Sequence, residues 1–136
     1  MSTILDISYL SSLVMVNVGL WNKNTDNYGN LLITVDTGAS ITTISKDILH
    51  TLGYDVSSGK KTRIITASSV EYVNDVTLEK IRLGSIELVN VKVYAHNFPE
   101  SSFSMGVLGL NVLKQFDVYF HFSKNELELA DLHRLR

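Results

Sequence analysis

Apolar and polar positions alternate at Val14, Val16, Val18 and Leu20 against Met15, Asn17 and Gly19, the period of two expected of a strand. Asn22 to Asn30 is dense in turn formers and predicts a long hairpin loop. The β-branched run Leu31-Leu32-Ile33-Thr34-Val35 predicts a buried strand that ends on Asp36, and Thr37-Gly38-Ala39-Ser40 predicts a tight loop behind it. Ile41 to Ile44 reads as the next strand. Ser45 is placed to cap a short helix whose buried stripe would be Ile44, Ile48 and Leu52, with Gly53 closing it.

Further on, Thr62 to Ala67 and Val70 to Leu83 predict two strands joined by a turn at Ala67-Ser68-Ser69. Gly84-Ser85 is a second turn, Ile86 to Tyr94 a strand, and Ala95 to Ser104, with Pro99, a surface loop. Gly106-Val107-Leu108-Gly109 returns the chain to the core, and Asn111 is placed to cap a helix from Val112 to Phe116. Asp117 to Phe122 is a strand, and Glu126 to Ala130 alternates cleanly, leucines to one side and glutamates to the other.

A carboxylate at the tip of a strand, backed by apolar surface, is costly to place, because desolvation disfavours its charged form unless it is hydrogen-bonded or paired. Such carboxylates concentrate at functional sites, which singles out Asp36. Other chemistries lack their motifs. There is no Gly-x-Ser-x-Gly elbow, no His-Glu-x-x-His and no phosphate-cradling loop. The Asn and Asp residues between 22 and 30 lack the spacing and closing Glu of a calcium loop. His50, His96 and His121 read as surface or packed histidines.

Composition narrows the class. The 136 residues suggest one domain, 1–136, and 45% hydrophobic content is ample for one core. A formal charge of −2 with 19% charged residues gives no basic excess to suggest nucleic acid. Cysteine is absent, which rules out disulfides and thiolate metal sites. No run reaches the ~18 apolar residues that read as a membrane helix. The start, Met1-Ser2-Thr3-Ile4-Leu5-Asp6, lacks the basic region of a signal peptide. The expectation is a cytoplasmic protein with no membrane partner.

Val35-Asp36-Thr37-Gly38-Ala39-Ser40 resembles the active-site loop of retroviral-type aspartic peptidases. About 70 residues further on, Met105-Gly106-Val107-Leu108-Gly109-Leu110-Asn111-Val112-Leu113 resembles the apolar-Leu-Gly stretch and short helix of the same enzymes. Between them, Ile64-Ile65-Thr66-Ala67-Ser68-Ser69 resembles the flap, although relatives often carry Gly where Ser69 stands. The resemblance runs from about Leu31 to Leu129 and is nearest to the single-domain, bacterial-type retropepsin-like proteins.

The resemblance implies an all-β fold: a closed, partly barrel-like domain of six or seven strands with a flap hairpin and one or two short helices. It implies an aspartic endopeptidase with Asp36 as the catalytic group, Thr37 and Gly38 completing the loop, and Ala39, Ser40, Thr66, Ala67, Ser68 and Ser69 along the bound polypeptide. Ile64, Ile65, Val107 and Leu108 would line the substrate pockets. The chemistry needs two carboxylates sharing one proton and calls for no metal and no cofactor. Only one Asp-Thr-Gly is present, so the second carboxylate would come from another copy of the chain in a homodimer. Glu126 to Ala130, as an unpaired edge, is the candidate interface strand, with Thr3 to Ile7 joining it. The alternative is a catalytically silent dimeric module of the same fold that binds a partner peptide.

Overall fold

The computed structural model describes residues 1–65, 68–98 and 104–131. Among the described residues ten strands and two short α-helices follow one another, with a 3-10 turn (Phe122–Lys124) between the last two strands. They are β1 (Ser2–Asp6), β2 (Met15–Asn22), β3 (Asn27–Val35), β4 (Thr43–Ser45), α1 (Lys46–Thr51), β5 (Lys61–Ile65) and β6 (Val70–Leu83). Then come β7 (Ile86–His96), β8 (Gly106–Leu108), α2 (Leu110–Leu113), β9 (Phe116–His121) and β10 (Glu126–Asp131).

Six of the strands close on themselves. Their order is β2-β3-β8-β4-β7-β6, and β6 returns to β2 through Gly19↔Arg82 and Leu20↔Ile81. The barrel is mixed: β3–β8 and β4–β7 are parallel, and the other pairs are antiparallel. Inside sit Val16, Leu20, Ile33, Ile44, Leu78, Ile81, Val93 and Leu108, all essentially inaccessible to solvent. Each such side chain contributes roughly 1.5–3 kcal/mol relative to an exposed position. The all-β, closed architecture expected from the resemblance is therefore what the chain adopts.

The β6–β7 ribbon changes faces along its length. Asn74, Val76 and Leu78 are buried before Glu79, but Ile81 and Leu83 after it. On β7 the buried positions shift in the same way, from Ile86 to Val91, Val93 and Ala95. The shift falls at Asn90, which takes a left-handed backbone (φ 53°). Asn tolerates that conformation better than most residues, and the added twist lets one ribbon serve two walls of the barrel.

Several local expectations are corrected. The hairpin between β2 and β3 is only residues 23–26, because Trp21 and Tyr28 pair across the strands, edge to face at 5.2 Å, and carry the ladder out to Asn22↔Asn27. The turn closes through Asp26 N–H to Asn22 O, 2.9 Å. Of the stripe expected for α1, Ile44 and Leu52 are buried, but Ile48 is only half-buried, the buried residue within the helix is Leu49, and Ser45 makes no side-chain cap bond. Ala95 and His96 do not begin a loop. They extend β7, where Ala95 is wholly buried between Asn74 and Ile44. Pro99 lies outside the described residues. The second helix begins at Leu110 with Gly109 at its N-cap, so Asn111 lies inside the helix rather than capping it, and Phe116 starts β9.

The most consequential correction concerns the chain ends. β10 is no unpaired edge: it is the middle strand of a three-stranded sheet, β1-β10-β9. β1 pairs along it from Ser2↔Ala130 to Asp6↔Glu126. Leu127 and Leu129 face the core from this central position, and the free edges belong to β1 and β9.

Candidate active site

Asp36 follows directly on β3. Its position is set by β8, which lies between β3 and β4. Thr34 and Val35 pair with Val107 and Leu108 in parallel, while Thr43 and Ile44 pair with Val107 and Gly106 in antiparallel. The chain must therefore cross the end of β8 between Val35 and Thr43, and residues 36–42 form that crossing. Asp36 N–H donates to Leu108 O at 3.1 Å, fixing the first residue of the crossing to the strand beneath it.

The loop then turns tightly. Ala39 N–H donates to Asp36 O at 3.2 Å, and Gly38 N–H donates to Asp36 Oδ1 at 2.8 Å. One carboxylate oxygen is thus held by its own loop, which fixes where the side chain points. Asp36, Thr37, Gly38 and Ser40 are exposed and Ala39 half-buried. The desolvation expected of a strand-tip carboxylate is consequently not produced by the single chain.

The far end of the loop is locked by α2. Leu110 N–H and Asn111 N–H donate to Ala39 O and Ser40 O at 2.8 and 3.1 Å. Asn111 Oδ1 accepts both the backbone N–H and the hydroxyl of Thr42, and Asn111 Nδ2 donates to Lys92 O, all at 2.8 Å. The Thr42 hydroxyl in turn accepts from Gly109 N–H at 3.0 Å. Thr42 is wholly buried, and this bonding is why residues 41 and 42 remain loop rather than extending β4 as expected. Gly109 has to be glycine: a Cβ there would stand 2.7 Å from Ile41 C and 2.8 Å from Ala39 O, and backbone cannot give way.

Of the other expected site residues, Ser68 and Ser69 are exposed in the connection between β5 and β6, whose last pair is Ile65↔Val70. Thr66 and Ala67 lie outside the described residues. Leu108, expected to line a pocket, is instead wholly buried core, whereas Ile65 is 75% exposed. Two features escaped the sequence reading. One is the Thr42–Asn111 lock, which joins residues 69 apart and leaves no local signature. The other is the loop 8–13, which presents Tyr9, Leu10 and Leu13 to solvent and ends beside β3, with Val14 O accepting from Val35 N–H at 2.8 Å. Three large apolar residues in a serine-rich stretch were the available signal.

Comparison with known proteins agrees with this geometry. The sequence model of the gag-polyprotein putative aspartyl protease family matches residues 26–115. The crystal structure of a retropepsin-like aspartic protease from Rickettsia conorii is similar with a TM-score of 0.67 at 24% identity, over 95% of this chain and 89% of that one. The retroviral protease-like domain of Ddi1 from Leishmania major is similar with a TM-score of 0.58 at 14% identity, over 90% of this chain and 95% of the other. No curated protein sequence matches significantly. None of the described helices is long and apolar enough to cross a membrane. With its Asp-Thr-Gly loop, its interposed strand and its closed barrel, the chain belongs to the gag-polyprotein putative aspartyl protease family and has the retropepsin-like fold.

Proposed function

We propose that the protein is an aspartic endopeptidase that works as a homodimer, with Asp36 of each copy forming one catalytic dyad. The observation that carries this reading is that the one Asp-Thr-Gly carboxylate stands exposed and oriented at a strand tip. One chain offers half of a two-carboxylate site. The exposed Tyr9, Leu10 and Leu13, in the loop that leads into β2, supply apolar surface for a partner to cover.

In the dyad one carboxylate is ionised and the other protonated, since like charges in close contact do not both ionise. The ionised group takes a proton from a water, whose oxygen attacks the scissile carbonyl carbon. The protonated group donates to the carbonyl oxygen as the tetrahedral intermediate forms. Collapse of the intermediate breaks the C–N bond, and a dyad proton passes to the leaving nitrogen. In this reading Thr37, exposed next to Asp36, bonds across the two-fold axis of the dimer, and Ala39 and Ser40 run along the extended polypeptide. The β5–β6 hairpin, with Ser68 and Ser69 near its tip, serves as the flap.

Incubating the protein with a peptide library and sequencing the products tests the assignment. Cleavage is expected, and Asp36→Asn abolishes it while leaving the fold and the dimer intact. Binding of peptides without cleavage by the unaltered protein would favour the silent-module reading, and cleavage surviving in a clean Asp36→Asn preparation would refute the role of Asp36.

A further inference from the structure

The three-stranded sheet leaves one side of β9 unpaired. The ladder shows which of its backbone groups are free. Asp131 N–H donates to Met1 O and Ile7 N–H donates to Asn125 O, so the odd-numbered residues of β10 bond β1. Its even-numbered residues bond β9, which turns the backbone groups of Asp117, Tyr119 and His121 toward β10. Val118 and Phe120 therefore direct their N–H and C=O groups outward, and no described loop or turn bonds them.

An open edge is normally blunted by charge, proline or a bulge, because it templates pairing with another chain. β5, the edge of the larger sheet, carries Lys61 and Arg63. β1 runs on into a bridge between Ile7 and Val16 of β2. β9, Phe116-Asp117-Val118-Tyr119-Phe120-His121, has no lysine, arginine or proline. It presents aromatic surface on both faces instead. Tyr119 is 48% exposed on one, stacked with His121 at 6.3 Å, and Phe120 is 37% exposed on the other, stacked with Phe122 at 5.6 Å.

The strand also complements itself. Let it lie antiparallel to a second copy, with Tyr119 facing Tyr119 across a two-fold axis. Val118 of each chain then meets Phe120 of the other, and their free N–H and C=O groups pair. Val118 and Phe120 share one face of this pair of strands. On the opposite face Asp117 meets the imidazole of His121, whose Nε2 lies 3.0 Å from Glu128 of its own chain. Registers two residues away set Asp117 opposite Tyr119 or beyond the end of the strand, and lose that complementarity.

We infer that β9 is the seam at which two copies of this chain join, giving a continuous six-stranded sheet with β9 against β9 at its centre. The inference deepens the homodimer proposed above by naming where its subunits meet, and rests on that reading. Its basis is an unprotected edge, its exposed aromatic rings and one register in which charge, side chains and free backbone groups all match.

The chain has no cysteine, so a single introduced one reports the seam. Tyr119 faces itself as a non-hydrogen-bonded pair, with Cα atoms about 4.5 Å apart, a separation that a disulfide spans. Ile4, 46% exposed on the same face of the sheet but on β1, is the control. Under mild oxidation Tyr119→Cys should form covalent dimer at least about tenfold faster than Ile4→Cys. Tyr119→Lys sets like charges face to face and should weaken self-association in sedimentation at least about tenfold, with the urea midpoint of the dilute chain unchanged. Equal cross-linking at the two positions, or undiminished association of Tyr119→Lys, would overturn the seam and leave the homodimer standing. A native chain that stays monomeric would overturn both. Cross-linking through position 119 in a protein that cuts no peptide would uphold the seam and count against the peptidase alone.

Discussion

The side-chain oxygen of Asn111 accepts two hydrogen bonds from Thr42, one from its backbone N–H and one from its hydroxyl, each at 2.8 Å. Through this pair α2 holds the end of the loop that begins at Asp36. Asn111→Ala leaves the buried Thr42 N–H and the Lys92 carbonyl without partners, at a cost of about 3 kcal/mol. Asn111→Asp keeps the acceptor and loses only the bond to Lys92, so it should cost less. Urea unfolding of the two variants gives the comparison directly. Equal stability of Asn111→Ala and the native chain would contradict the lock.

Thr34 presents the opposite case. Its hydroxyl is buried and has no partner among the described residues, two positions before Asp36. Val has nearly the same shape without the polar atom. Thr34→Val should therefore stabilise the protein by about 1 kcal/mol, read as a higher urea midpoint at unchanged slope.

Tyr54 joins three segments: its hydroxyl donates to Trp21 O at 2.8 Å and accepts from Glu79 N–H at 3.2 Å. Burial pushes its phenol above 10.0, opposed in part by the Glu79 N–H bond, which favours the phenolate. The folded state therefore holds this proton more tightly than the unfolded chain. Its contribution is complete below the unfolded value and is lost as pH rises through the folded one. Tyr54→Phe should cost about 1–2 kcal/mol at neutral pH by leaving two backbone groups unpaired. The penalty should shrink above about pH 10, where the native chain alone loses this term. Tyr28, raised by burial and by its bond to Glu87, titrates in both proteins, so the difference between them isolates Tyr54.

The elements nearest the motif were legible because their signals are local. Val70 to Leu83 reads as a strand from its own composition and is one. Gly53 ends α1 with φ at 91°, as a helix-terminal glycine should. The alternation in Glu126 to Ala130 correctly assigned its two faces, but not its neighbours. A period of two states which side is apolar and is silent on which strand lies alongside. The pairing with β1 joins opposite ends of the chain, and it moved β10 from edge to centre. Ala95 was missed because a small residue beside Pro99 resembles loop, while its burial comes from two flanking strands. The cleft of about 960 Å³ lined by α1, the segment 53–57, Lys61 and Asn74 is likewise tertiary: helix, loop and hairpin meet there from separate parts of the sequence.

The position of β10 also changes how assembly should be probed. Deleting 126–136 removes the centre of a sheet and is expected to unfold the chain, so it does not isolate the dimer. Leu10→Asp is the better probe, since Leu10 is 87% exposed. It should leave urea stability at high dilution within about 0.5 kcal/mol while weakening self-association in sedimentation experiments.

The central claim is that two chains share one dyad, and mixing tests it most directly. Native chain and Asp36→Asn chain, refolded together in equal amounts, should form native dimers as about a quarter of the total, with mixed dimers inactive. The account predicts that peptide cleavage falls to about a quarter of that of the same total amount of native protein. Activity that instead remains proportional to the native chain, at about one half, would show that each chain carries a complete site and would contradict the shared dyad.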